Sequence, residues 1–208
     1  MISERKAQER AERKERIAQA ALQIFEEQGI EAAKMEEIAA KAGFGRASLY
    51  YYFPSREDIF EYIFELGWTR LWEAIEEDIN GAGSPRERFM QTLKKINRVT
   101  QENRSLYTFL FTGPRVLLTL PTANQSWKPH QDKLYNVLRG LLEDGIAAGE
   151  FPQMPAGVLM RAIGGVFHGL LFLGDGKRQV GESDVEALVS KMLDPATIGG
   201  KAEHPHPS

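Results

Sequence analysis

The sequence predicts an all-α protein with an N-terminal three-helix head carrying a helix-turn-helix, followed by a larger C-terminal helical domain. Three observations carry this expectation. Apolar residues recur at i, i+3, i+4 and i+7 along most of the chain. Glycine, proline and serine punctuate those runs. Residues 35–56, MEEIAAKAGFGRASLYYYFPSR, read as two short helices around a tight turn. No stretch alternates in the manner of a strand, and no internal repeat is present.

Taken in order, residues 1–10 are polar and are expected to form a basic, flexible arm. Helix one is predicted over Ala11–Gln28, where Ile17, Ala20, Ala21, Ile24 and Phe25 make one apolar stripe and Gly29 ends it. In the second helix Ile38, Ala39 and Ala42 share a face. Gly43 supplies a left-handed stop and Phe44 an apolar pin in the turn. The third helix runs to Phe53, and Pro54 removes the donor needed to extend it. Leu49 and Phe53 are four apart and point inward, which leaves Arg46, Ala47 and Tyr50 outward. Three consecutive tyrosines, Tyr50, Tyr51 and Tyr52, cannot all face a core from one helix.

Ser55 caps a fourth helix with Asp58 in its first turn, and the apolar pattern continues through Ile59, Phe60, Ile63, Phe64, Trp68, Leu71, Trp72 and Ile75. Gly81-Ala82-Gly83 breaks it. Ser84-Pro85-Arg86-Glu87 is a capping box: serine cap, proline first, glutamate third. The fifth helix buries Phe89, Leu93 and Ile96, and a short sixth spans Ser105–Thr112. Residues 120–129 are expected to form a loop. The seventh helix runs from His130 to Ala148. The eighth, Ala156–Leu173, is apolar nearly all round, which predicts burial on more than one side. A ninth covers Ser183–Leu193. The expected domains are thus 1–10, 11–60, 61–194 and a disordered tail at 195–208.

Composition narrows the function. The chain has 42% hydrophobic and 26% charged residues, ordinary for a soluble globular protein. No run is long and apolar enough to span a membrane, and the charged start argues against a secretory leader. With no cysteine there is neither a disulfide nor a thiolate metal site, and a cytoplasmic location is expected. The net charge of −3 hides a local basic excess: six basic against three acidic residues from Arg5 to Arg16. No HExxH, GxSxG or phosphate-binding loop is present; Gly174-Asp175-Gly176-Lys177 lacks the first glycine and the hydroxyl after lysine. Neither catalytic residues, a metal site nor a cofactor is expected.

Helix-turn-helix motifs place their second helix in the DNA major groove. Here Ile38-Ala39, Ala42-Gly43, Ser48-Leu49-Tyr50-Tyr51-Tyr52-Phe53 and Ser55-Arg56-Glu57 resemble the N-terminal signature of the TetR (tetracycline-repressor-like) family, over roughly residues 13–65. The resemblance implies a homodimeric, ligand-responsive transcriptional regulator, most often a repressor, that binds a palindromic double-stranded operator. Its implied DNA-binding set is Lys34, Met35, Gly45, Arg46, Ala47, Ser48, Tyr50, Tyr51, Tyr52 and Arg56. Arg46 is the candidate for base readout, because a guanidinium can bond O6 and N7 of guanine together. Ser48, Tyr51, Tyr52 and Arg56 match family positions that touch phosphates. Gly45 and Met35 stand where relatives commonly carry hydroxyl residues.

The resemblance also implies a small, largely apolar effector held by the C-terminal helices, with Tyr107, Phe109, Phe111, Trp127, Tyr135, Met160, Phe167 and His168 as candidates. Gly164, Gly165, Gly169, Val185, Leu188, Val189 and Met192 are the candidates for the two-fold interface. The competing expectation is a helical protein-interaction module that has lost DNA binding.

Overall fold

A computed structural model describes residues 2–112, 125–172 and 181–198. Among these every regular element is an α-helix: α1 Ile2–Gln28, α2 Met35–Ala42, α3 Arg46–Tyr52, α4 Arg56–Asn80, α5 Pro85–Glu102, α6 Arg104–Thr112, α7 Lys128–Ala147, α8 Ala156–Phe172, α9 Glu182–Met192 and α10 Pro195–Ile198. Among the described residues no helix is long and apolar enough to cross a membrane. The expected break at Gly174-Asp175-Gly176, residues 120–124 of the expected loop and the tail from 199 lie outside the described residues, and α7 already begins at Lys128, inside that expected loop.

The helices form two compact units, residues 1–70 with 103–130, and residues 71–102 with 131–208. This division differs from the expected cut near residue 60, because α6 joins the N-terminal helices. Its Phe109 ring stacks on Phe25 of α1 at 5.8 Å and meets Phe60 and Phe64 of α4 at 5.8 and 6.0 Å. Trp127 completes the cluster, 5.2 Å from Phe64.

Helix α1 begins at Ile2, nine residues before the expected start, so the first residues are helical rather than a flexible arm. That segment has no apolar stripe to bury. It is supported instead by one-turn side-chain pairs, Arg5 Nε to Glu9 at 3.0 Å and Gln8 to Glu12 at 3.2 Å, and by contacts to α3. Gly29 closes the helix at φ 80°, and its N–H donates to the Phe25 carbonyl.

In the second unit α5 packs on α9, and α9 on α8. The capping box at its entry forms as expected: the Ser84 N–H donates to Glu87 at 2.9 Å and the Glu87 N–H to Ser84 Oγ at 3.3 Å. The pair Ser55 and Asp58 does the same for α4, at 2.9 and 3.1 Å. Gly145 in α7 permits a close approach, since a Cβ there would stand 2.3 Å from the wholly buried Phe151 ring.

Helix α8 departs from expectation. It buries the single stripe Leu159, Ile163, Phe167 and Leu171, while Val158 is 41% exposed and Gly164 and Gly165 are open. Its apolar character all round is therefore not accounted for by the chain's own packing.

Candidate nucleic-acid interface

Two helices and a three-residue turn build the exposed surface of the head. Gly43 ends α2 at φ 73°, its N–H directed to the carbonyls of Ala39 and Ala40. The Phe44 N–H follows, donating to the Ala39 carbonyl at 2.9 Å. Gly45 is the N-cap of α3, extended at φ −70° and ψ 151°, with no side-chain cap. A glycine cap costs only a few tenths of a kcal/mol against serine, and the helix forms without the hydroxyl.

Helix α3 is anchored by Leu49, 0% exposed, and Phe53, 2%. The opposite side faces solvent: Arg46, Ala47, Ser48 and Tyr50 are exposed, Tyr51 is 68% exposed and Tyr52 is half-buried. The tyrosine run is therefore not an aromatic core. Lys34 is also exposed, 4.0 Å from Glu37.

A row of cations on α1 lies against these aromatics. Arg10 donates to the Tyr51 hydroxyl at 3.2 Å and stands 5.2 Å from its ring. Arg13 donates to the Tyr52 hydroxyl at 3.4 Å, and Arg16 covers Phe44 at 4.7 Å. Lys14 rests its ammonium on Tyr62 and Phe53 at 4.4 and 4.9 Å. Burial, then the charge of Arg10, lowers the Lys14 pKa, against the pull of Glu65 and Asp58. Arg10, Arg13 and Arg16 extend the surface beyond the motif. The basic excess of the segment is legible in the sequence, but its juxtaposition with the tyrosines, some forty residues away, is not.

Two expected contacts are corrected. Met35 is only 8% exposed; it packs into the head beside Ile38, so its side chain is unavailable to DNA. Arg56 is committed within the protein: Nε pairs with Glu57 at 2.9 Å and Nη1 donates to the Glu31 carbonyl. Burial pushes the Glu57 carboxyl up, but hydrogen bonds from Arg56, its own backbone N–H and Ser55, together with the charge of Arg56, outweigh it and hold it below the usual carboxylate range. This contribution is present above that range and fades as pH falls through it. Replacing Arg56 by glutamine should lower the stability of the head by about 1 kcal/mol and leave the salt dependence of DNA binding nearly unchanged, which denaturant melts and a salt titration would check.

The other candidates divide between the units. In the first, Tyr107 is wholly buried and donates to the Gly67 carbonyl at 3.3 Å. Phe109 and Trp127 belong to the aromatic core, and Phe111 meets Trp68 at 5.5 Å. In the second, Phe167 is buried, Met160 and His168 are half-buried, and Tyr135 is 45% exposed on α7. Of the interface candidates, Val185 and Val189 are 3% and 0% exposed; the protomer's own core takes them, which corrects their assignment. Leu188 is 41% exposed, and a Cβ at Gly164, Gly165 or Gly169 would meet nothing within 4 Å. The second unit also carries an open groove of about 440 Å³ whose lining includes Trp72, Glu76, Arg88, Lys133 and Asp144. No cluster of three metal-ligating side chains occurs among the described residues.

The family model for bacterial regulatory proteins of the tetR family matches residues 17–63, which span α2, α3 and their flanks. The HTH-type transcriptional regulator AcrR of Shigella flexneri is 26% identical over 175 residues, covering 79% of this chain and 81% of that protein. The crystal structure of the TetR family regulator PfmR from Thermus thermophilus superposes with a TM-score of 0.71 at 23% identity, over 85% of this chain and 96% of that one. The regulator FadR from Bacillus subtilis, crystallised with stearoyl-CoA, gives 0.69 at 20% identity, over 86% and 97%. These matched proteins are transcriptional regulators, not enzymes. Residues 17–63 thus match the tetR-family DNA-binding domain, and the described helices share the fold of these regulators.

Proposed function

We propose that the protein is a homodimeric repressor that binds a palindromic operator and is released by a small, largely apolar effector. The observation that carries this reading is the outward face of α3, held by Leu49 and Phe53 and presenting Arg46, Ala47 and Tyr50 to solvent. Arg46 reads a guanine, and Ala47 and Tyr50 meet thymine methyls. Lys34, Ser48, Tyr51 and Tyr52, joined by Arg10 and Arg13 of α1, hold phosphates and set the register. Gly45 lets the backbone at the start of α3 come close to DNA.

Dimerisation uses the open side of α8. Small residues at Gly164, Gly165 and Gly169 allow a second helix to approach, with Leu188 and Met192 of α9 alongside. Effector binding is carried within the second unit by Met160, Phe167 and His168. It favours a state in which the two heads are wrongly spaced for DNA, a coupling of about 1–3 kcal/mol.

The test is selection of bound genomic fragments by the purified protein at two salt concentrations. The expected result is one inverted repeat whose half-sites lie about one helical turn, ~34 Å, apart. Addition of stearoyl-CoA, the ligand crystallised with one regulator of this fold, is the first effector trial. Failure to recover any sequence at either salt from ligand-stripped protein would remove the DNA-binding reading. Recovery of single half-sites would remove the dimer.

A further inference from the structure

Arg46 reaches the solvent side of α3 with a carboxylate beside it. Its Nη2 lies 2.9 Å from Glu36 Oε1, and its guanidinium carbon stands 5.8 Å from the Tyr50 ring centroid. Glu36 belongs to α2, across the Gly43–Gly45 turn. The two side chains are 70% and 48% exposed, and an ion pair this open to water adds little to stability. Nor does it help overall affinity, since a carboxylate on a surface that meets phosphates repels DNA of every sequence. Its neighbour Glu37 is occupied otherwise, accepting from Gln28 at 2.7 Å.

What the contact does is restrict the guanidinium. The carboxylate engages one nitrogen and the tyrosine ring flanks the plane, while Nε and Nη1 have no protein partner among the described residues. The Nη2 N–H that the carboxylate leaves free runs parallel to an N–H on Nε or on Nη1, and that pair supplies two donors for the O6 and N7 acceptors of guanine. The nearby negative charge also opposes a swing of Arg46 onto a phosphate.

We propose that Glu36 is a positioning residue that determines specificity, holding Arg46 for guanine and away from the backbone. This rests on the DNA-binding reading above. The experiment selects sites from a randomised duplex pool with full-length wild type, Glu36→Gln, Glu36→Ala, Arg46→Ala and the Glu36→Ala/Arg46→Ala double variant. Affinity for one unrelated duplex is measured alongside at fixed salt.

Wild type should select guanine at one position of each half-site. Either change at Glu36 should weaken that preference roughly fivefold or more, spare the other positions, and tighten binding to the unrelated duplex. In the Arg46→Ala background, Glu36→Ala should change nothing further at that position. The proposal is overturned if wild type is selective and Glu36→Ala keeps every preference. It is equally overturned if Glu36→Ala shifts base choice without Arg46, for then Glu36 reads a base itself. A uniform loss of affinity for all duplexes, with a lower melting temperature, would mean a structural role only and would also overturn it. Wild type that selects no sequence removes both this inference and the reading beneath it.

Discussion

Replacing Arg86 by alanine should cost the second unit about 3 kcal/mol of unfolding free energy, seen as a melting temperature lower by roughly 6–12 °C. One guanidinium there ties the turn after α7 to the end of α9. Nη1 donates to the Glu150 carbonyl at 3.0 Å and the Leu193 carbonyl at 2.7 Å, and Nη2 to the Ser190 carbonyl at 3.0 Å and its hydroxyl at 3.2 Å. The plane also lies 5.7 Å from the Phe151 centroid. The last carbonyls of α9 have no partners within their own helix, and a cation there also meets the negative end of the helix dipole. Meanwhile the Arg86 N–H donates to the Glu150 carboxylate at 2.8 Å, placing an anion at the start of α5. Alanine keeps this last bond and strands the carbonyls. Lysine should recover less than half, because a single ammonium lacks the planar fork. A loss below about 1 kcal/mol would show that solvent replaces the guanidinium at no cost.

Raising salt from 50 to 200 mM should weaken operator binding by the proposed dimer about 10³-fold, the behaviour of some six neutralised phosphates. Arg10, Arg13 and Lys34 from each head make up that number. The partners of Arg10 and Arg13 decide their value. Both donate to tyrosine hydroxyls, and Arg10 also lies over the Tyr51 and Tyr52 rings, so neither charge is spent on a carboxylate in these contacts. Lys41, Arg56 and Arg70, by contrast, pair with Glu27, Glu57 and Glu15. Changing Arg10 and Arg13 together to glutamine should lower the slope of log K against log salt by roughly three to four, with the selected sequence unchanged. An unaltered slope would mean that the α1 row never meets the DNA backbone.

What the sequence disclosed follows the range of the interactions. The turn at Gly43–Gly45, the stop at Pro54 and the boxes at Ser55–Asp58 and Ser84–Glu87 are decided within a few residues, and the structure has them where the sequence implied. The early start of α1 rests on one-turn pairs, Arg5–Glu9 and Gln8–Glu12, that no apolar stripe marks; the contacts of Arg10 and Arg13 with Tyr51 and Tyr52 are announced by no local pattern. Periodicity has a different limit: it says that a face is apolar but not what covers it. The stripe Val185, Leu188, Val189 and Met192 is split for this reason, two valines inside the protomer and Leu188 outside. Tyr107 and Tyr135 show the same ambiguity for aromatics, one wholly buried and the other largely open. The motif alone would put Met35 at the DNA face, whereas its chemistry suits the core where it lies.

The extended α1 bears on how this regulator can be recombined. The family match begins at residue 17, and a chimera cut there would look complete by homology. It would leave behind Arg10, Arg13, Lys14 and Arg16, and with them the cationic companions of Tyr51, Tyr52, Tyr62 and Phe44. A hybrid made from this head should therefore inherit the whole helix from its first turn.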